Sequence, residues 1–321
     1  MLKSIPAAAI LVLMFAWHGQ PAAGDTLRSM KYTSRSVKEA VDWQFDLRSK
    51  LGKLLNINDL WTSEEEMPLN PRETYSEDRG DYMLKEVEIN STPGRRIRVI
   101  ITLPLKSKGP WPAVVCIHGH GGYLYSVYNK ASYNSFAAEL AKRDYVTIAP
   151  VVSQHEIYEQ GRTLMGERLW DLIRCVDFLE GAREIDPDRI GCAGLSLGGE
   201  MAMWLGAMDT RVQATLSSGF LTKMDQMEQG HCMCWKFPGL RELVDYADIY
   251  SLIAPRPLCC QNGLKEPPTD FTVALAKEAM NEIRLIYNDL GALEHVTLVA
   301  HPEGHVVDVP SLLEFFEEYL K

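Results

Sequence analysis

The 321-residue chain has no clustered run of Lys and Arg, and its 43 acidic against 33 basic residues leave a formal net charge of −10. This excludes the electrostatic footprint of a nucleic-acid-binding protein and, at long range, disfavours polyanionic ligands. No internal repeat occurs at the periods of solenoids or propellers, and no segment is of low complexity. The seven cysteines are odd in number and not spaced like a stapled scaffold, which argues against a disulfide framework. Cys116, Cys192, Cys259 and Cys260 lie in apolar, strand-like runs, where a free cysteine behaves as a small hydrophobe. The apolar run at residues 5–17 is shorter than the roughly 20 residues that a membrane span requires.

What is present is the material of one large globular core: 46% of residues are hydrophobic and 24% charged. The N-terminus has its own pattern. Lys3 precedes the apolar run, and Ala22, Ala23 and Gly24 follow it. That is the layout of a secretory signal peptide over 1–24, so the mature protein is expected outside the cytoplasm, secreted or periplasmic, and off the membrane once the segment is cleaved. No cysteine near the cleavage region suggests a lipid anchor.

From residue 25 to 83 the dominant feature is an amphipathic helix at 36–55, with Val37, Ala40, Val41, Phe45, Leu47 and Leu51 as its apolar positions. Strands at 84–90 and 95–104 flank the turn Ser91-Thr92-Pro93-Gly94. Thereafter strands (113–117, 145–150, 189–194, 212–217, 257–261, 296–300) alternate with helices (134–143, 166–182, 197–207, 271–290, 311–320). The pattern predicts an α/β protein with a mostly parallel central sheet and helices on both faces, spanning 84–321. The stretch 219–250 is too long for a simple connection and reads as a cap inserted over a site.

The chemistry concentrates in four loops. Gly194-Leu195-Ser196-Leu197-Gly198-Gly199 lies at a strand-to-helix junction, where a sharp turn lifts a serine hydroxyl above the sheet. A hydroxyl is a weak nucleophile without a neighbouring base, and His305, in the loop beyond the last strand, is the candidate. His301, at the strand end itself, reads as structural. The acid that would orient the base belongs after strand 257–261, and that loop offers Glu266 first and Asp270 as the alternative. Asp270 also suits an N-cap for a helix starting at Phe271. An oxyanion needs backbone donors: Leu197 N–H, and His120 N–H from His118-Gly119-His120-Gly121-Gly122, with Gly121 as alternative. His118 and His120 read as turn-organising residues. His231, Cys232 and Cys234 lack a fourth ligand at a usual zinc spacing, so neither a metal nor any other cofactor is expected.

The segments HGHGG, GLSLGG, APRPL followed by NGLKEP, and EGHVVD together resemble the α/β-hydrolase superfamily. Within it the chain resembles the dienelactone-hydrolase and acetyl xylan esterase-like group, from about residue 84 to the C-terminus. The resemblance implies the α/β-hydrolase fold and a triad of Ser196, Glu266 and His305. The family usually carries Asp where Glu266 stands. Serine rather than the cysteine of true dienelactone hydrolases implies an esterase. The family also implies that the loop of Gln154, His155 and Glu156, and the cap around His231, line the approach to the serine, which makes His155 and His231 candidate substrate-binding residues. The expected activity is that of an exported carboxylic-ester hydrolase acting on a small-molecule or carbohydrate ester. Alternatives are a serine hydrolase of peptides or other amides, and a hydrolase fold retained for binding alone.

Overall fold

The computed structural model describes residues 28–63, 67–131 and 133–321, so the signal segment expected at 1–24 lies outside the described residues. Nine strands form one sheet in the order β1-β2-β3-β5-β4-β6-β7-β8-β9. They are β1 (Arg72–Asp78), β2 (Tyr82–Thr92), β3 (Arg95–Pro104), β4 (Trp111–Ile117), β5 (Val146–Pro150), β6 (Ile185–Leu195), β7 (Ala214–Ser218), β8 (Leu258–Gly263) and β9 (Val296–His301). β1, β2, β3 and β5 pair antiparallel in succession, and from β5 through β4 to β9 every pairing is parallel. The expected α/β architecture with a mostly parallel sheet is the one present.

The inner parallel strands β4, β5, β7 and β8 are buried on both faces, β4 from Pro112 to Ile117, whereas the edge strand β9 is partly exposed. Two cores cover the two faces. The larger gathers α1 (Val37–Leu55), α4 (Leu164–Glu180), α5 (Leu197–Met208), α8 (Tyr246–Ser251) and α9 (Val273–Asp289), with the short α2 (Asn58–Trp61) packed against it. The smaller holds α3 (Phe136–Ala141) and α10 (Val309–Leu320). α5 is buried along its whole length, which fits a helix apolar all round.

Three departures from the sequence-based expectations are informative. The segment 25–83 is not only helical, because β1 extends the sheet at its antiparallel edge. Its sequence, RETYSED, is polar and almost wholly exposed, so it has no apolar alternation to reveal it. In α1 the buried stripe is Ala40, Trp43, Gln44, Leu47, Leu51 and Leu55, whereas Val37, Val41 and Phe45 face outward. The stripe that packs is the one that carries Trp43 and three leucines, Leu47, Leu51 and Leu55, at i+3 and i+4 spacing. The helix expected from residue 271 starts at Val273 and is capped by Thr272, whose side chain accepts from Leu275 N–H, so Asp270 is not its N-cap.

The connection 219–250 carries three short helices, α6 (Met224–Met227), α7 (Leu240–Leu243) and the start of α8. Phe220, Leu221, Met224, Trp235 and Tyr246 anchor it in the larger core. No helix among the described residues is long and apolar enough to cross a membrane.

Candidate active site

Ser196 stands where β6 ends and α5 begins, with φ 61° and ψ −122°. Few non-glycine residues adopt such a backbone, and the surroundings must enforce it. They do so by crowding: a Cβ on Gly194 would meet Gly198 O at 2.2 Å, and one on Gly198 would meet Ile117 O at 2.2 Å. Ser196 N–H donates to Ser218 O (2.9 Å), which ties the turn to the end of β7. The serine thereby sits at the carboxyl ends of the parallel strands and at the N-terminus of a twelve-residue helix, whose dipole favours negative charge there.

His305 and Glu266 come together from loops 39 residues apart, with His305 Nδ1 and Glu266 Oε1 at 2.8 Å. The Glu266 side chain is 1% exposed, and its Oε2 has no hydrogen-bond partner among the described residues. Phe271 stacks on the imidazole (centroids 5.4 Å apart, planes at 22°) and fixes the ring plane. Space for the ring comes from Gly219 (φ +58°), where a Cβ would lie 3.0 Å from His305 Cε1. Gly219 directly follows Ser218, the acceptor for Ser196 N–H, so one short segment positions both side chains. Asp270, the alternative acid, lies instead beside Thr269 Oγ1 (3.0 Å) and 3.9 Å from His231 Nε2.

In the loop after β4, Gly119 N–H donates to Tyr133 Oη (2.9 Å) and Gly122 N–H to Gly119 O (3.1 Å). His118 is buried and held at both ring nitrogens: Nε2 accepts from Val152 N–H (3.2 Å) and Nδ1 faces Gly119 O (2.8 Å). Burial lowers its pKa, so it is a neutral organiser of the turn. His301 is likewise buried, with its pKa lowered by desolvation. His120 and Leu197 both line the cavity in which Ser196 lies.

That cavity encloses about 140 Å³ and is lined in part by Glu200, Phe220, Met227, Trp235 and Phe271. His231 also lines it, with Nε2 3.2 Å from Thr269 O. His155 does not; its ring meets His120, Nε2 to Nε2 at 2.9 Å. Glu200 is the cavity residue that sequence reasoning missed. It is fully buried, burial raises its carboxyl to about 8 against the opposing pull of Arg168, and its Oε1 has no partner among the described residues. Its signal was available: Glu200 is the lone charge in the otherwise apolar LGGEMAMWLGAM. A larger cavity, about 690 Å³, lies beside Arg95, Arg98 and Tyr158, and none of Ser196, Glu266 or His305 lines it. The smaller cavity has the stronger claim to chemistry because it contains the strained serine.

Residues 89–222 match the family model described as glucuronyl esterase, fungi. The chain is 25% identical over 266 residues to YtaP of Bacillus subtilis (strain 168), a protein described as a hydrolase, covering 74% of this chain and 87% of that one. Among solved structures, a protein described as an acetyl xylan esterase, from Bacteroides fragilis, superposes with a TM-score of 0.70 at 18% identity, over 92% of this chain and 87% of its own. A glucuronoyl esterase from Solibacter usitatus superposes with a TM-score of 0.70 at 15% identity, over 92% and 98% respectively. The parallel sheet, the serine on a strand-to-helix turn above it and these likenesses agree: the chain has the α/β-hydrolase fold.

Proposed function

We propose that the protein is an exported serine carboxylic-ester hydrolase that deacylates a carbohydrate ester. The observation that carries the reading is the pairing of the buried Glu266 with His305, 2.8 Å across, reached from the same Ser218–Gly219 segment that holds the strained Ser196. In this reading His305 Nε2 takes the proton of Ser196 Oγ as the hydroxyl attacks the ester carbonyl. Glu266 accepts from Nδ1–H, fixing the tautomer and stabilising the imidazolium. The backbone N–H groups of His120 and Leu197 receive the oxyanion. Collapse releases the alcohol, protonated by His305, and leaves an acyl-enzyme on Ser196, which water cleaves by the same steps in reverse.

The cavity supports a short acyl group. At about 140 Å³ it is well below the roughly 300–1,000 Å³ of sites that enclose drug-sized ligands. The alcohol portion would then lie toward its mouth. Glu200 Oε1 and Trp235 Nε1 are buried in the lining without partners among the described residues, and a hydroxylated substrate would satisfy such groups. Export rests on the N-terminal pattern of Lys3, the apolar run and Ala22-Ala23-Gly24. The family-model match over 89–222 favours one second reading, in which the sugar is the acyl part, as in a uronoyl ester.

Hydrolysis of p-nitrophenyl acetate, acetylated xylo-oligosaccharides and a glucuronic acid methyl ester, each with wild type and Ser196→Ala, tests both readings. Acetate release abolished by the substitution supports the first. Cleavage of the uronoyl ester alone selects the second, and activity retained by Ser196→Ala overturns the serine mechanism.

A further inference from the structure

Four residues outside the proposed proton-relay chemistry come together at the mouth of the site: His120, His155, Cys232 and Cys234. One ligand atom from each lies within 4.8 Å of all the others. His120 comes from the loop after β4, His155 from the loop after β5, and both cysteines from the connection between β7 and β8. Along the chain Cys232 and Cys234 have no zinc-like partner spacing, and the expectation of no metal rested on that. Folding supplies the missing ligands from two distant loops.

We propose that this cluster binds a zinc-class divalent ion through two imidazoles and two thiolates. A tetrahedral ion with nitrogen ligands at about 2.0–2.1 Å and thiolate ligands at about 2.3 Å requires ligand–ligand separations of about 3.3–3.8 Å. Cys232 Sγ and His155 Nε2 stand 3.5 Å apart, inside that range. His120 Nε2 and His155 Nε2 stand at 2.9 Å and need to open by only a few tenths of an ångström. Two imidazoles and two thiolates form a donor set suited to zinc and unsuited to magnesium or calcium, which prefer oxygen. Two thiolates also neutralise a divalent ion.

The surroundings fit the role. Arg168 is buried, its Nη2 donates to Gln154 O, the residue before His155, and its Nη1 lies 3.6 Å from Cys234 Sγ. One guanidinium thus braces a ligand-bearing segment on either side, in the way that outer partners orient metal ligands. Four protein ligands close the coordination sphere, so the ion would be structural. It would pin the segment around residue 233 to the loop that carries His120, and the ester chemistry would not pass through it.

The test uses the purified, thiol-reduced protein and does not depend on activity. Metal content is measured after loading with Zn²⁺, and Co²⁺ titration is followed by absorption, beside Cys232→Ser/Cys234→Ser and His155→Ala. One equivalent of metal, a thiolate-to-cobalt charge-transfer band with the intense visible bands of tetrahedral Co²⁺, and affinity weakened on the order of a hundredfold or more in the double variant support the site. Wild-type protein that takes up no equivalent, or Co²⁺ binding without the charge-transfer band, overturns it. The wild-type spectrum decides even if a variant fails to fold, and circular dichroism checks both variants.

Discussion

At the scale of single residues, the acid is the assignment with a direct competitor. Glu266 is buried against His305 Nδ1, whereas Asp270 faces Thr269 and His231. Glu266→Gln should lower kcat by roughly 10³–10⁴-fold, the scale seen when a triad acid becomes an amide and the histidine tautomer is wrong. Asp270→Asn should change kcat less than about threefold, because it touches neither Ser196 nor His305. Steady-state kinetics on p-nitrophenyl acetate reads both, and the reverse ranking would move the acid to Asp270. Glu200 makes a different prediction. Its carboxyl is raised from 4.5 to about 8 by burial, with Arg168 pulling the other way and Cys234 and Tyr246 packed nearby. Between those two values the folded protein holds a proton that the unfolded chain has released, so stability from this group is full below pH 4.5 and is lost as pH rises toward 8. Each pH unit between them contributes about 1.4 kcal/mol, which bounds the loss at about 4–5 kcal/mol. Glu200→Gln should therefore gain stability relative to wild type at pH 8.5 compared with pH 5. Urea melts at the two pH values check it; an equal difference at both would mean that Glu200 is ionised throughout.

At the scale of elements, the strand-to-helix turn is where local chemistry and packing coincide. Gly194→Ala would drive a Cβ to within 2.2 Å of Gly198 O, a backbone atom that cannot rotate away. The substitution should destabilise by about 1–3 kcal/mol or more and disable turnover even where the protein folds, since Ser196 shifts with the turn. Circular dichroism melts and turnover, compared with Gly94→Ala at an open hairpin position, measure this; near-normal activity would show that the turn has slack. The same elements show why part of the architecture was legible in the sequence. The run that became β4 is apolar on both faces, the run of β8 opens on Leu258, Cys259 and Cys260, and the punctuation around Ser196 and His305 is glycine-rich, so period and turn chemistry pointed to strands and loops. β1 carried no such signal because an exposed, charged edge strand obeys only its partner's hydrogen bonds. The stripe on α1 was half misread because Val37, Val41 and Phe45 share its helical period with the residues that pack. The His120–His155–Cys232–Cys234 cluster was invisible for a third reason: its members meet only when three loops converge.

At the scale of the whole molecule, the N-terminal segment decides whether the hydrolase fold is self-sufficient from about residue 84. The contacts indicate that it is not. Ser29 and Met30 N–H donate to Glu242 and Leu243 carbonyls, and Tyr32 N–H donates to Asp248. Arg28 Nε pairs with Asp248 Oδ2 at 2.6 Å, with both side chains at most 5% exposed. Gln44 Nε2 donates to Ser251 and Ala254 carbonyls, and α1 buries Leu47, Leu51 and Leu55 in the larger core. This strap fastens α8 and the end of the 219–250 connection, which carries Cys232, Cys234 and Trp235 to the cavity. Asp248→Asn leaves the buried Arg28 guanidinium with Glu282 as its remaining ion-pair partner (Nη1 to Oε2 2.8 Å) and should lower stability by about 1–3 kcal/mol, read from chemical denaturation. A chain beginning at residue 62 loses the whole strap and exposes the apolar face beneath it. It should be insoluble or lack cooperative unfolding, whereas a chain beginning at residue 25 should unfold in one transition. A cooperative fold from residue 62 with undiminished esterase activity would show instead that the strap is an appendage, and that the segment over Ser196 is held by the sheet alone.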